Sequence, residues 1–204
     1  MNFLSDNTAT AAPEILAALN AVNEKPALAY GDDAWSRRLD GAFGEVFERE
    51  VRVFTVATGT AANSIALASA VPPWGAVLCH CEAHIECDEG GAPEFYSGGA
   101  KLVMVDGRDA KIAPEALEEA IACNARGIHS VKPAAVSISQ ASERGAAYRP
   151  AEVAALGEIA RRAGLALHVD GARFANAVAA LGCAPADITW RAGVDLLSFG
   201  ATKN

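Results

Sequence analysis

The chain has 204 residues, of which 51% are hydrophobic, and a formal net charge of -8 at pH 7. This size and composition suit one sizeable α/β core, and the acidic balance argues against a nucleic-acid partner, because such partners are bound through clustered Lys and Arg. Met1–Ala12 is too polar for a signal peptide, no apolar run is long enough to span a membrane, and the five cysteines lack regular spacing. We therefore expect small-molecule chemistry in a soluble, cytoplasmic protein.

The first predicted elements are helical. Pro13 suits the first position of a helix, and apolar residues then recur at helical spacing as far as Val22. After the break at Gly31–Asp33, the pattern of charged and apolar residues predicts a second helix over Trp35–Glu48.

Short β-rich runs then alternate with helical stretches. The predicted strands are Val51–Val56, Ala76–His80, Lys101–Val105, Ala134–Ser139, Leu165–Asp170 and Asp195–Phe199, with helices that include Pro114–Asn124 and Pro150–Ala163. This alternation indicates βαβ units, and continuously apolar runs are typical of strands buried on both faces. The sequence therefore predicts a three-layer α/β/α fold with a mostly parallel central sheet, in which ligands bind at the carboxyl ends of the strands.

One candidate site lies in Ala57–Asn63, where small residues open a helix. The first amide groups of a helix and its partial positive charge can hold a phosphate. Gly59 allows close approach of the backbone, and the Thr60 hydroxyl can add a hydrogen bond. A turn of small residues can also serve tight packing alone, so both interpretations stay open.

A second group of residues follows the last two predicted strands. Asp170 ends one strand and Arg173 lies on the turn after it, although an aspartate there can also be only a helix cap. Lys203 follows the final strand in a turn rich in small residues, where a lysine is usually only solvated. Together these residues combine a phosphate site, an acid for a pyridinium nitrogen and an amine for an aldehyde.

At these motifs the chain resembles the low-specificity L-threonine aldolases and aromatic amino acid β-eliminating lyases, which are fold-type I enzymes dependent on pyridoxal 5'-phosphate (PLP). The resemblance spans nearly the whole chain. It rests on Ser5–Thr8, Tyr30–Asp33, Thr58–Asn63, Ala83–Ile85, Asp170–Arg173 and Ser198–Asn204. It implies the large domain of an aspartate aminotransferase-like fold with PLP as cofactor.

The resemblance also implies roles in holding the cofactor. Lys203 would bind it as a Schiff base, and Asp170 would pair with its pyridine nitrogen. Gly59 and Thr60 would hold the phosphate, and His84 would stack on the ring.

The substrate would meet a further set of residues. By the same resemblance, Arg173 lies beside the cofactor and the substrate carboxylate, which Ser5 also contacts. Tyr30 lines the site from a neighbouring subunit, which implies a homodimer or homotetramer with the site at the subunit interface. The expected catalytic set is Lys203, His84, Asp170 and Arg173.

The chain departs from the family pattern in two places. The first departure is length, since family members continue well past the lysine. We expect residues 1–30 to form an N-terminal segment and helix that contribute to the active site. Residues 31–204 would form the PLP-binding large domain, and a small C-terminal domain would follow residue 204. In addition, Ser139–Glu143 stands where many threonine aldolases carry Glu-Asn-Thr-His, and its lack of histidine leaves the catalytic base and the substrate preference open.

The expected reaction is retro-aldol cleavage of a β-hydroxy-α-amino acid such as L-threonine, L-allo-threonine or phenylserine to glycine and an aldehyde. A PLP-dependent β-eliminating lyase or an aminotransferase is the alternative within this class. A different alternative is a zinc-binding α/β protein that uses Cys79, Cys81, His84 and Cys87. We expect no metal, because this spacing matches no common zinc pattern and buried cysteines usually act as small hydrophobic residues.

Overall fold

The computed structural model describes residues 5–124 and 126–203. The described residues form two compact units, one of residues 5–54 with Lys203 and the other of residues 55–124 and 126–202. None of the helices in the described part combines the length and the apolar character that crossing a membrane requires.

The first unit contains two α-helices. Helix α1 covers Pro13–Val22 and begins at the predicted proline, and helix α2 covers Leu39–Phe47. The second helix is shorter than predicted, because Ser36–Arg38 forms a separate 3-10 turn and Glu48 adopts a left-handed conformation with φ 55° that ends α2.

The predicted strand over Val51–Val56 is wrong. Its β-branched residues favour extended structure, but this segment pairs with no strand in the described ranges and crosses the boundary between the two units. The Val53 amide instead donates to Asp40 Oδ1 over 2.8 Å. Strand formation depends on a neighbouring strand, which local composition does not supply.

The second unit is an alternation of helices and strands. Its elements are α3 (Gly59–Ala70), β1 (Gly75–His80), α4 (His84–Cys87), α5 (Ala92–Tyr96), β2 (Lys101–Val105), α6 (Pro114–Cys123), β3 (Lys132–Ser139), α7 (Pro150–Ala163), β4 (Ala166–Gly171), α8 (Phe174–Leu181) and β5 (Leu196–Phe199). Short 3-10 turns cover Arg108–Ala110, Gly127–His129, Pro185–Ile188 and Trp190–Ala192.

These five strands form one parallel sheet in the order β2-β1-β3-β4-β5. Connections between parallel strands are right-handed, so the direction of each crossover determines its side of the sheet. Helix α5 lies in the connection from β1 to β2, which runs towards the β2 edge of the sheet. Helices α6, α7 and α8 lie in connections that run towards the β5 edge and therefore cover the opposite face. Helix α3 packs with α5. The predicted three-layer α/β/α fold is confirmed.

The face under α3 and α5, hereafter the α3 face, changes in character along the strands. Leu67 of α3 and Val71, which directly follows this helix, pack with Val77 of β1 and Ala135 of β3 in a buried apolar cluster. Side chains alternate along a strand, so residues two apart share a face. The α3 face therefore passes from Ala135 through Ser137 to Ser139 as β3 approaches its carboxyl end.

The ends of β4 and β5 approach each other closely. A Cβ atom on Gly200 would lie 2.6 Å from the Ala172 carbonyl oxygen, and one on Gly171 would lie 2.9 Å from the Ser198 carbonyl oxygen. The Gly200 amide donates to the Gly171 carbonyl over 3.0 Å. Glycine is therefore required at both positions, and the turn after β4 is held against the end of β5.

Candidate active site

The amino end of α3 presents backbone donors. Thr58 caps this helix by accepting a hydrogen bond from the Ala61 amide over 3.1 Å. The amides of Gly59 and Thr60 have no protein acceptor within the described ranges, and a Cβ on Gly59 would meet nothing within 4 Å. Amide donors at the positive end of a 12-residue helix suit a phosphate group.

Asp170 is buried near the end of β4 and uses both carboxylate oxygens. Oδ1 accepts from the Ala172 amide over 3.0 Å, so the carboxylate does stabilise the following turn. Oδ2 accepts from Asn63 Nδ2 of α3 over 2.8 Å. Asp170 therefore joins the carboxyl end of β4 to the helix whose amino end offers the phosphate donors.

His84, the first residue of α4, meets the same cluster. Its Nδ1 atom lies 2.9 Å from Glu89 Oε1, which also accepts from Asn63 Nδ2 over 2.8 Å. Potential ligand atoms of His84, Glu89 and Asp170 all lie within 4.8 Å of one another. We call Asn63, His84, Glu89 and Asp170 the acid–imidazole cluster.

The alternative zinc site is not formed. Of the His, Cys, Asp and Glu residues in the described ranges, the group that could meet at a metal is His84, Glu89 and Asp170, without a cysteine. Cys79 packs in the core cluster on the α3 face, where burial raises the pKa of its thiol to about 12. Cys81 lies beyond the end of β1, so it does not share the strand alternation on which the zinc interpretation depended.

A second buried polar group crosses three neighbouring strands of the α3 face. His168 of β4 lies between Ser137 Oγ of β3, 2.9 Å from Nδ1, and Ser198 Oγ of β5, 3.0 Å from Nε2. Burial lowers the pKa of this imidazole to about 4, although the nearby Asp170 carboxylate opposes the shift. His168 is therefore neutral at pH 7, with one ring nitrogen donating and the other accepting.

Four further residues were predicted for the site. Arg173 is half-buried and immediately precedes α8. In the first unit, Ser5 accepts a hydrogen bond from the Asn7 amide over 3.2 Å, Tyr30 is exposed with φ 61°, and Lys203 is half-buried. The roles of these residues stay predictions.

The structure adds Asn63 and Glu89 to the residues that the sequence singled out. Asn63 stood in a predicted motif without a role of its own, and its signal was a polar residue in the second turn of a helix made mostly of small residues. Glu89 follows His84 by five residues and precedes Gly90–Gly91. Local sequence does not predict the contacts of either residue, because both side chains meet partners from other elements.

The parallel sheet and its covering helices define the large-domain architecture of the threonine aldolases and aminotransferases. Residues 2–204 match the family model described as "Beta-eliminating lyase". The chain belongs to this family.

Curated relatives agree with that assignment. The chain is 46% identical over 202 residues to low specificity L-threonine aldolases of Pseudomonas sp. (strain NCIMB 10558) and of Pseudomonas aeruginosa, which covers 99% of this chain and 58% of each relative. It is 30% identical to the Escherichia coli low specificity L-threonine aldolase over 78% of this chain and 47% of the relative. The chain thus spans 58% of the length of the two Pseudomonas relatives.

Solved structures agree as well. A Leishmania major threonine aldolase superposes with a TM-score of 0.91 at 33% identity, covering 98% of this chain and 58% of that one. An alanine–glyoxylate aminotransferase from Nostoc sp. superposes with a TM-score of 0.67 at 23% identity, covering 95% and 47% respectively, and shows the shared fold alone.

Proposed function

We propose that the complete protein is a PLP-dependent aldolase that cleaves a β-hydroxy-α-amino acid to glycine and an aldehyde. The observation that carries the proposal is the acid–imidazole cluster, which joins a buried carboxylate and an imidazole at the carboxyl edge of the sheet. The 46% identity to low specificity L-threonine aldolases supports the same reaction class.

The described residues fit PLP. Asn63 follows Gly59 by four residues, or about 6 Å along α3, so the phosphate donors and Asp170 lie at a separation that one aromatic ring with a phosphate arm can span. Asn63 Oδ1 and Glu89 Oε2 are buried without a partner in the described ranges. Buried polar atoms are normally paired, so a polar ligand would satisfy them. When bound, PLP supplies the electron sink for bond cleavage at Cα.

Asp170 and Lys203 would hold the two ends of the cofactor ring. The buried Asp170 carboxylate can accept a hydrogen bond from a protonated ring nitrogen, and an adjacent positive charge favours its ionised form. The Lys203 amine would hold the aldehyde carbon, as the resemblance implies. Gly59 and Thr60 would donate to the phosphate.

His84 and Arg173 would handle the substrate. The His84 imidazole, which Nδ1 ties to the cluster, would take the proton of the β-hydroxyl. The Arg173 guanidinium would bind the substrate carboxylate through two parallel hydrogen bonds and so orient the bond to be broken, a geometry that lysine cannot reproduce. Ser5 and Tyr30 would complete the substrate site.

The loop after β3 offers a carboxylate where many threonine aldolases offer a histidine. Glu143 Oε1 accepts from the Ser139 hydroxyl and from the His84 backbone amide, the latter over 3.0 Å. Glu143 thus holds the backbone of His84 in place. We infer that His84 is the base and that the site tolerates larger β-substituents, including aryl groups.

Product analysis tests the reaction. The complete chain, incubated with PLP and L-threonine, L-allo-threonine or phenylserine, should release glycine and the matching aldehyde in equal amounts. Pyruvate or a keto acid without aldehyde would contradict the proposal and favour β-elimination or transamination.

His84→Phe tests the assigned base. Phenylalanine keeps a ring to stack on the cofactor but cannot take a proton, so turnover should fall by about 10²–10⁴-fold while the visible absorbance of the bound cofactor is kept. His129→Phe, at an exposed position, is the matched control. A loss of less than about threefold would assign the base elsewhere.

We also propose that the protein acts as a homodimer or homotetramer. Helix α1 buries none of its residues, and its apolar Ile15, Leu16 and Leu19 are 51%, 51% and 61% exposed. Contiguous exposed apolar side chains often mark a protein interface. Light scattering on the complete protein should give a mass of two or four chains, and a monomer at micromolar concentration would contradict the proposal.

The cytoplasm is the compartment that we propose. All five cysteines are free, including the exposed Cys87 and Cys123. Free exposed thiols persist in a reducing compartment. A complete protein found outside the cytoplasm by cell fractionation would contradict this assignment.

A further inference from the structure

We propose that Glu89 is a positioning residue that holds the imidazole of His84 in one tautomer, with the proton on Nδ1 and the lone pair on Nε2. Glu89 would thereby make Nε2 the nitrogen that takes the substrate proton. This inference rests on the proposed function, because it assigns the base role to His84.

The geometry of the pair determines the tautomer. The Glu89 side chain has no exposed surface, and its Oε1 lies 2.9 Å from His84 Nδ1. With the carboxylate oxygen as the acceptor of this contact, Nδ1 is the donor. In a neutral imidazole the other nitrogen then carries the lone pair. Nε2 has no hydrogen-bond partner in the described ranges, and the His84 side chain is 41% exposed.

Asn63 holds the carboxylate from its other side. Its Nδ2 group donates to Glu89 Oε1 and to Asp170 Oδ2, both over 2.8 Å. Rotation of Glu89 away from His84 would break the bond to Asn63, which also contacts Asp170. The imidazole is therefore fixed relative to the carboxylate that we assign to the cofactor ring.

The cost of burying Glu89 supports a functional role. Its Oε2 atom is buried without a partner in the described ranges. A buried carboxylate oxygen without a hydrogen bond is unfavourable for stability, so stability alone does not explain the residue. The same carboxylate would stabilise the imidazole once it has gained a proton, as a buried aspartate does for the histidine of a serine protease.

Nitrogen NMR on the complete, PLP-loaded protein reads the tautomer directly. With ¹⁵N-labelled histidine, the resonances of His84 are identified by their loss in His84→Phe, and we expect the Nδ1–H form. Glu89→Gln should keep this form, because its amide oxygen can still accept from Nδ1. Glu89→Met removes the acceptor and should increase the Nε2–H form. A wild-type His84 with its proton on Nε2 would overturn the proposal.

Kinetics then separate positioning from a merely structural role. A hydrogen bond to a charged group corresponds to about a 10- to 100-fold effect, so Glu89→Met should lower kcat by that factor while KM changes less than about threefold. Because Glu89 acts through His84, the same substitution in a His84→Phe background should cost less than about threefold more. Equal losses in both backgrounds would overturn the proposal.

Glu94→Met is the matched control. Glu94 also has a buried carboxylate oxygen without a partner in the described ranges, but it lies on α5 and has no hydrogen bond to His84. It should keep the wild-type tautomer and near-normal kcat. If wild-type protein releases no glycine, the proposed reaction fails, whereas the tautomer measurement still decides whether Glu89 positions His84.

Discussion

The two faces of the sheet differ in what they bury. On the face covered by α6 and α7, Leu78, Val136 and Leu167 are register neighbours without exposed surface. On the α3 face, apolar residues near the amino ends give way to buried polar residues such as His168 and Asp170 near the carboxyl ends. These three residues of the first face are apolar, whereas the α3 face becomes polar where ligands bind in such folds.

This difference indicates that the α3 face carries polar groups that are unfavourable for folding stability but suited to chemistry. In the described ranges, four buried side-chain polar atoms lack a partner, and they belong to Asn63 and Ser64 of α3, to Glu89 and to Glu94. The first three lie at or beside the acid–imidazole cluster. Local departures from well-paired packing are expected at functional sites. Substitutions on the two faces should therefore affect different properties.

Asp170→Asn should have the largest effect on turnover. It removes the charge that would pair with the cofactor ring, so kcat should fall by about 10²–10³-fold. The fold should survive, because the amide oxygen can still accept from the Ala172 amide. Asp195→Asn is the control, since Asp195 also accepts from a backbone amide, that of Leu167, at the other end of β4. An Asp170→Asn protein with near-normal turnover would show that the carboxylate only stabilises the turn.

Leu167→Ala should have the opposite signature. Removing a fully buried leucine costs about 2–5 kcal/mol of unfolding free energy, whereas kcat per folded molecule should stay within about twofold of wild type. Urea unfolding measures the loss, with the exposed Leu28→Ala as control. A loss below about 1 kcal/mol would contradict the tight packing of this face.

His168 should make stability depend on pH. Burial lowers its pKa in the folded protein to about 4, so the unfolded chain, with an ordinary pKa near 6.5, binds this proton more readily. The unfolding free energy contributed by neutral His168 is therefore intact above about pH 6.5 and is lost as the pH falls towards 4, by about 3 kcal/mol in total.

Urea unfolding between pH 4 and pH 7.5 checks this prediction. His168→Gln should lose stability less steeply on acidification than wild type, whereas His129→Gln, at an exposed site, should follow wild type. Identical acid dependence in all three proteins would contradict the buried neutral imidazole.

Ser198→Ala should have the smallest effect. It removes one hydrogen bond to His168 and should lower the unfolding free energy by about 1 kcal/mol. Ser69→Ala is a control, because the Ser69 hydroxyl is exposed and bonds only to the Ala66 carbonyl of its own helix. Equal losses in the two variants would show that the buried hydrogen bond between Ser198 and His168 contributes no more to stability than an exposed one.

Much of the fold follows from local sequence. The prolines at positions 13, 114 and 150 mark the first residues of α1, α6 and α7, because proline fits the first turn of a helix. Each of the five strands of the sheet begins within two residues of its predicted first residue. The wrong strand at Val51–Val56 shows the limit of this approach, since pairing with a distant strand is not encoded in local composition.

The site was only partly predictable for the same reason. Asp170 could be singled out because it ends a strand, where the fold class places ligands, and His84 because its motif resembles the family. Their connection through Asn63 could not, since Asn63 is 26 residues from Glu89 and 107 residues from Asp170. The partner of the His84 imidazole, Glu89, lies beyond the end of α4 and is held by Asn63 of α3, a contact that local sequence does not encode.

Borohydride reduction of the complete, PLP-loaded protein, followed by peptide mapping, tests the central claim most directly. The site that we assign to the α3 face requires the cofactor to be held by the lysine after β5, so the phosphopyridoxyl group should map to Lys203. An adduct on another lysine, such as Lys101 or Lys132, or the absence of any adduct would contradict the assignment of this edge of the sheet as a PLP site.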